Sequence, residues 1–411
     1  MNLADRLRGV VRPAGGPEGP PLRPVSAAET LGGEWHGDDH HRYLVVDRKY
    51  APGHRLGRVA VADCLPSDDG LWPRVSLLEP SVVPGRMMFV DLETTGLGGG
   101  AGTCAFLVGC GWFEGAAFRI RQFFLADYAA ERAMLDAVAE AARAAGGLVT
   151  YNGKSFDLPL IETRFLFHRM QTPFAGMPHI DMLHPARRLW RPEGDESACR
   201  LTTMEEALFG HVREDDVPGF EIPSRYFHYV RTSDARPLDA VLEHNRLDLI
   251  ALAMLTARAA QLLDEGPAAA RSAREALGLG RLYERGGLMA EARASFVHAA
   301  AMETADVATR AEALLACAVL SRRDRHYDEA AAAWRRVLDL RPCPARMARE
   351  ATVALAVYHE HRERDLQAAR RFALQALQFN ISLPKTQAAQ HRLARLNRKI
   401  GGPPAESAAL F

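Results

Sequence analysis

Residues 87–97 read MMFVDLETTGL. Four apolar side chains lead into Asp91-Leu92-Glu93, and a Thr- and Gly-rich stretch follows. An apolar run of that length, closed by turn residues, predicts a buried strand that ends at a loop. Side chains alternate along a strand, so Asp91 and Glu93 share one face at its end. Two carboxylates there repel each other unless something neutralises them. Beside apolar residues a divalent cation often does so, because an unpaired buried charge is too costly to keep. A lone D-x-E after an apolar run is nevertheless common, and other segments must supply the remaining ligands.

Outward from this strand, CAFLVGCGWF (104–113) and AFRIRQFF (117–124) predict two more strands in succession. A helix over 129–144, the strand GLVTY (147–151), a helix over 156–170 and the strand MPHID (177–181) continue the pattern. Helices over HPARRLW (184–190) and TTMEEALF (202–209), a Pro-rich turn VPGFEIPSRYF (217–227) and a long amphipathic helix over 238–264 complete an α/β alternation. Upstream, YLVVDRKY (43–50) and GRVAVAD (57–63) flank the turn APGH and predict a small hairpin.

Beyond Pro267 strand signals stop. Ala292, Ala330 and Ala368 recur at a constant interval of 38 residues, with Phe296, Trp334 and Phe372 four positions later and Gly280, Ala318 and Ala356 twelve positions earlier. Small residues facing aromatics across a helical hairpin let the two helices approach closely. The pattern resembles the tetratricopeptide repeat, with longer loops than that family's usual 34 residues require; generic Ala-rich hairpins are the alternative. The expected organisation is a flexible lead-in (1–25), a short β addition (26–84), an α/β domain with a mixed central sheet flanked by helices (85–265), an all-α repeat region of about three hairpins (268–400) and a tail (401–411).

Composition excludes several classes. Hydrophobic residues at 48% and charged residues at 25% match a globular chain, not a disordered or fibrous one. No apolar run approaches the roughly 18 residues of a membrane span, and the first residues lack a signal-peptide apolar core, so a cytoplasmic protein with no membrane partner is expected. The six cysteines show no C-x-x-C or zinc-ribbon spacing and read as reduced thiols. Basic and acidic residues balance at 51 each, but residues 361–400 hold nine Lys or Arg against two acids, a patch able to attract phosphate backbones or simply a solvated helix face. His36, His40 and His41 in WHGDDHHR read as a solvated turn.

Two further acidic segments stand out. In YNGKSFDLPLIETR (151–164) Asp157 falls in the first turn of a helix, where the dipole alone would favour it. In EHNRLDLIAL (243–252) His244 and Asp248 stand one turn apart on one face, as a ligand pair or as a surface hydrogen bond. Phe156 reads as core. NGKS lacks the first glycine of a phosphate loop, having Leu148 at that position, and GLGGGA leads into a strand instead of a helix.

Taken together, FVDLETTGL, YNGKSFDLP and HNRLD resemble the three motifs of the DEDD, or DnaQ-like, 3'–5' exonuclease superfamily, whose fold is RNase H-like. The YNGKSFDLPLIETR wording is similar to proofreading domains of family B DNA polymerases, and IPSRYFHYVRTSDARPLDAVLEHNRLDLIAL to YprB-type RNase H-like proteins. The resemblance spans about residues 85–262. It implies that Asp91, Glu93, Asp157 and Asp248 hold two Mg²⁺ or Mn²⁺ ions, hard cations suited to carboxylate oxygens, about 4 Å apart across the scissile phosphate. Asp91 would bridge them. His244 would be the general base, since an imidazole titrates near neutral pH. One departure leaves that role open: His244 precedes Asp248 by four positions, the spacing of the tyrosine subclass, whereas the histidine subclass has five; a metal-activated water is the alternative.

Substrate contacts are expected from Thr94, Thr95, Gly96 and Leu97, whose loop offers unhindered backbone amides, and from Asn152 and Lys154. The expected partner is DNA or RNA, single-stranded or at a 3' end, with a protein partner possible through the repeats. An endonuclease on the same fold, or a non-catalytic adaptor using the repeats, is the competing reading.

Overall fold

The computed structural model describes residues 26–38, 40–67, 72, 74–82, 85–96, 102–190, 199–379 and 383–401. In chain order the elements are α1 (Ala27–Leu31), β1 (Glu34–His36), β2 (Tyr43–Tyr50), β3 (Arg55–Leu56), β4 (Val59–Ala60), β5 (Met87–Thr94), β6 (Ala105–Glu114), β7 (Ala117–Phe124), α2 (Glu131–Arg143), β8 (Gly147–Thr150), α3 (Asp157–Phe167) and β9 (His179–Asp181). There follow α4 (Leu183–Leu189), α5 (Leu201–Phe209), α6 (Ile222–Thr232), α7 (Arg236–Glu265), α8 (Ala273–Arg285), α9 (Met289–Ala301), α10 (Val307–Arg323), α11 (Tyr327–Asp339), α12 (Ala345–Tyr358), α13 (Leu366–Leu377) and α14 (Leu383–Gly401).

Seven strands form one mixed sheet in the order β1-β2-β7-β6-β5-β8-β9. β5, β6 and β7 run as an antiparallel meander, while β8 and β9 add in parallel beyond β5. This is the RNase H-like arrangement, and it places β5 inside the sheet, between β6 and β8, with its C-terminal end open. Parallel pairing demands crossover segments, supplied by α2 and α3. One sheet face (Met88, Val90, Leu92, Phe106, Val108) packs on α2, α3 and α6. The other (Met87, Phe89, Phe118, Ile120, Val149) packs on the apolar length of α7.

Two sequence expectations need correction. Residues 43–50 do form a strand, but β2 pairs with β7 and widens the main sheet. Residues 57–63 give only the two-residue strand β4, paired with β3, before a 3-10 turn over Val61–Cys64. The segment VPGFEIPSRYF is not all turn: α6 begins at Ile222, with Pro223 in the first helical positions where its missing N–H costs nothing.

Beyond α7 the described chain is helical, in hairpins α8/α9, α10/α11 and α12/α13 followed by α14. The periodic residues fill their interfaces: Ala292, Ala330 and Ala368 are buried, as are Phe296 and Trp334. Gly280 is required by close approach, since a Cβ there would lie 2.4 Å from the Phe296 ring. The core is continuous from the α7 face of the sheet into these hairpins, and Trp190 and Arg258 reach across to Glu275 of α8 at 2.8 and 2.9 Å. No helix among the described residues is long and apolar enough to cross a membrane.

Candidate active site

β5 delivers Asp91 and Glu93 to the open end of the sheet, α3 delivers Asp157 in its first turn, and α7 delivers His244 and Asp248. All five line a single cleft of about 570 Å³, together with Thr94, Gly96, Phe156 and the start of α6. Segments separated by up to 157 positions thus converge.

The turn ahead of α3 explains how Asp157 is aimed. Buried Asp181, at the end of β9, accepts the backbone N–H groups of Asn152 at 2.7 Å, Lys154 at 3.1 Å and Leu183 at 3.1 Å. Asn152 holds the left-handed position, at φ 66°, a conformation that Asn tolerates better than most residues. Thr150 Oγ1 accepts from the Gly153 N–H at 3.2 Å and bonds His179 at 2.8 Å. The tight turn is therefore built on β8 and β9, and it presents the next residues to the cleft.

The electrostatics are those of crowded anions. Burial, then the nearby Asp248 and Asp157, push the Asp91 carboxyl well above the usual carboxylate range. Glu93 rises for the same reasons, with Asp91 its foremost charged neighbour. Asp157 is pushed up to about 7, by burial first and then by Asp181 and Asp248. Among the described residues neither Glu93 nor Asp157 has a basic side chain in ion-pair contact. Asp91 accepts from the Asn245 side-chain amide at 2.7 Å.

Asp248 differs. Buried Arg213 donates to its Oδ1 at 2.6 Å and to Glu205 at 2.7 Å. His244 Nε2 lies 3.6 Å from Asp248 Oδ2, while His244 Nδ1 bonds Asp216 at 2.6 Å. Sequence reasoning missed this entire layer: Asn245, Asp181, Asp216, Arg213 and Glu205. Asn245 stood inside a motif, and REDD (213–216) was a polar run of no evident period.

Several expected contacts fall elsewhere. Lys154 Nζ turns away to Glu79 at 3.0 Å, and neither Lys154 nor Asn152 lines the cleft. Thr95 Oγ1 accepts from the Cys104 N–H at 3.0 Å and anchors the loop base, whereas Thr94 and Gly96 do line the cleft. Leu97 lies outside the described residues. Phe156 is not core: it is 61% exposed on the rim. The basic excess in 361–400 is partly neutralised, because Arg392, Arg395 and Lys399 all close on buried Glu360.

A model of the RNase H superfamily matches residues 88–260. Over those residues the chain is similar to RNase H superfamily domains. Its fold is that of nucleic-acid-processing hydrolases, which generally use divalent metals. An uncharacterized protein of Bacillus subtilis strain 168, YprB, is 29% identical over 365 residues, covering 87% of this chain and 86% of its own. A family B DNA polymerase from the archaeon Pyrobaculum calidifontis aligns at 13% identity with a TM-score of 0.36, over 59% of this chain; this chain spans only 29% of that polymerase.

The donor set suits a hard divalent ion: carboxylate oxygens, an excess of negative charge, and three carboxylates, Asp91, Glu93 and Asp157, with no cationic partner in ion-pair contact among the described residues. As the side chains stand, no group of three or more His, Cys, Asp or Glu among the described residues is drawn together tightly enough to hold a metal ion.

Proposed function

We propose that the chain is a metal-dependent nuclease, a 3'–5' exonuclease acting on single-stranded ends. The observation that carries this reading is the convergence of Asp91, Glu93, Asp157 and Asp248 on one cleft, with three of the four carboxyls displaced upward. Perturbed titrations of this kind gather at functional sites.

Asp91, Glu93 and Asp157 are the residues that would hold Mg²⁺ or Mn²⁺, with Asp248 joining once Arg213 lets go of it. The bound ions supply Lewis acidity toward the scissile phosphate and toward the attacking water. The chain supplies the rest. Asn245 fixes the carboxylate plane of Asp91. Asp216 orients His244 through Nδ1, leaving Nε2 on the cleft side to accept a proton from water. Exposed Phe156, with Thr94 and Gly96 opposite, offers a stacking surface and backbone amides to an unpaired terminal nucleotide. The hairpins beyond α7, read as tetratricopeptide-like, form a scaffold on which a protein partner could dock.

The Arg213–Asp248 pair favours one competing reading, an adaptor whose fourth ligand is already neutralised within the chain. Incubation with a 5'-labelled single strand and Mn²⁺ separates the two. A ladder shortening from the 3' end that disappears in Asp91→Asn supports the exonuclease. Cleavage of a circular single strand identifies an endonuclease instead, and intact substrate under all conditions favours the adaptor.

A further inference from the structure

A second polar cavity, about 440 Å³, lies where the β3–β4 hairpin, α5, the last turns of α7 and the approach to α8 meet. Its walls carry three guanidiniums, Arg58, Arg258 and Arg271, against one carboxylate, Asp63. Their counter-ions do not balance. Glu275 pairs with Arg258 at 2.9 Å, and its oxygens also accept from Trp190 and from the Arg271 backbone N–H. The Asp63 carboxylate is turned to the Ala60 N–H at 2.8 Å. Among the described residues neither Arg58 nor Arg271 has a carboxylate in ion-pair contact. Arg271 is held in place by a bond from Nη1 to the Leu208 carbonyl at 3.3 Å. Burial, and then Arg258 and Arg58 beside it, lower its hold on the proton, so the three cations feel one another across the space.

Arg258 is held by both Glu275 oxygens and by the Ala269 carbonyl at 2.9 Å, which leaves Arg58 and Arg271 as the cations without an anion, and such cations are stabilised by a ligand that brings one. A guanidinium fork matches the paired oxygens of a phosphate bidentately, and several guanidiniums together suit its higher charge. The opposite wall, Phe209 and Met254, is apolar and would accept an organic substituent. Arg258 follows Asp248 by ten residues on the same helix, about 15 Å along its axis, so this cavity is separate from the acidic cleft. The two are nevertheless close along the chain. The Arg58 N–H donates to the Phe209 carbonyl at 2.8 Å, and four residues further on Arg213 grips Asp248.

We infer that Arg58 and Arg271, with the Glu275-paired Arg258 beside them, form a phosphate-binding site remote from the acidic cleft. The phosphate is either free in solution or part of a bound strand. The test uses the full chain in EDTA, so that the result is independent of whether the acidic cleft cuts anything. Inorganic phosphate is titrated calorimetrically, and a fluorescent single-stranded oligonucleotide is titrated by anisotropy, against wild type, Arg58→Ala, Arg271→Gln and, as a control in the acidic cleft, Asp157→Asn.

Phosphate binding that weakens at least tenfold in either variant supports the site with a free ligand. If phosphate alone gives no heat, but strand affinity falls tenfold in the variants and the salt slope drops by about one, the ligand is a phosphate of the strand. Phosphate and strand affinities equal to wild type in both variants overturn the inference. So does phosphate binding that responds only to Asp157→Asn. Arg58 is exposed, so its truncation leaves the fold intact and decides the matter should Arg271→Gln unfold.

Discussion

Asn245 donates its side-chain amide to Asp91 Oδ2 at 2.7 Å and to the Asp91 carbonyl at 3.2 Å, while its own Oδ1 accepts from Gln122 at 2.8 Å. The helix carrying the last acidic residue therefore sets the orientation of the first. Gly109, on the neighbouring strand, makes this possible, because a Cβ there would sit 2.2 Å from Asn245 Oδ1. Groups that orient metal ligands typically change affinity or rate by about 10–100-fold when removed. Asn245→Ala is expected to weaken Mn²⁺ binding and strand cleavage by that order, and Gly109→Ala to mimic it. Unfolding costs of about 1–3 kcal/mol should accompany the lost buried bond. If only the melting temperature changes, with Mn²⁺ affinity and kcat/KM intact, Asn245 is packing and nothing more.

The carboxyl cluster makes stability depend on pH in a direction opposite to ordinary salt bridges. Asp157 is raised from 3.8 to about 7 in the folded chain. The folded state thus holds the proton more tightly than the unfolded one, and the resulting stability is complete below about pH 4 and lost as pH rises through 7. In EDTA the difference in melting temperature between wild type and Asp157→Asn should therefore grow with pH between 4 and 8, the variant becoming the more stable. Mn²⁺ should erase that difference at pH 8, since a ligand bound only to the folded state adds about 2.7 kcal/mol at a hundredfold excess over its Kd. A difference that stays flat across pH would show that Asp157 is not crowded by anions.

Much of this site was legible because its first layer obeys local rules. Period two placed Asp91 and Glu93 on one face, and a helix turn placed His244 beside Asp248. Three successive strands followed from short apolar runs separated by turn residues, and their antiparallel pairing is what the structure adds. What escaped was set by tertiary contacts. Asp181 closes a turn 27 residues earlier in the chain through backbone N–H groups, which have no side-chain signature. Arg213 meets Asp248 from an irregular loop 35 positions away. Phe156 looked like core because aromatics beside a helix start usually are, yet the sheet end it borders is open. The start of α6 was hidden by Pro218 ahead of it and Pro223 within it, although Pro223 is tolerated where it stands.

Arg213 is expected to restrain the site as well as stabilise it. Its side chain is 4% exposed and bridges Asp248 to the fully buried Glu205. Truncating one partner of a buried pair leaves the other charge uncompensated, at about 3–5 kcal/mol. Arg213→Met should be destabilised by that order, and Glu205→Gln in the same chain should recover part of the loss, read as coupling in a double-mutant cycle. The double variant, with Asp248 released, should bind Mn²⁺ at least as tightly as wild type by calorimetry. Weaker binding would mean that Arg213 positions Asp248 for the ion instead of competing with it.

Among the described residues, one carboxylate gathers three basic side chains of the last helix, α14. Glu360, in the π-turn after α12, has a fully buried side chain within reach of Arg392 at 2.9 Å, Arg395 at 2.7 Å and Lys399 at 2.9 Å, all on α14. Burial works against its charge, but the bonds from Arg395 and Lys399 outweigh it and hold the carboxyl down at about 2. A depressed acid contributes stability above the unfolded value near 4.5 and loses it as pH falls through 2. At neutral pH the anchor is therefore fully engaged, and Glu360→Gln should release α14 while leaving the sheet unaffected. Hydrogen exchange is expected to quicken over residues 383–401 with β5–β7 protection unchanged. The freed basic side chains should also raise nonspecific affinity for a single strand at low salt, an effect that must fade near 0.5 M NaCl if it is electrostatic. Unchanged exchange in α14 would place its attachment in the Leu393 and Leu396 contacts with Ala369 and Ala373 instead.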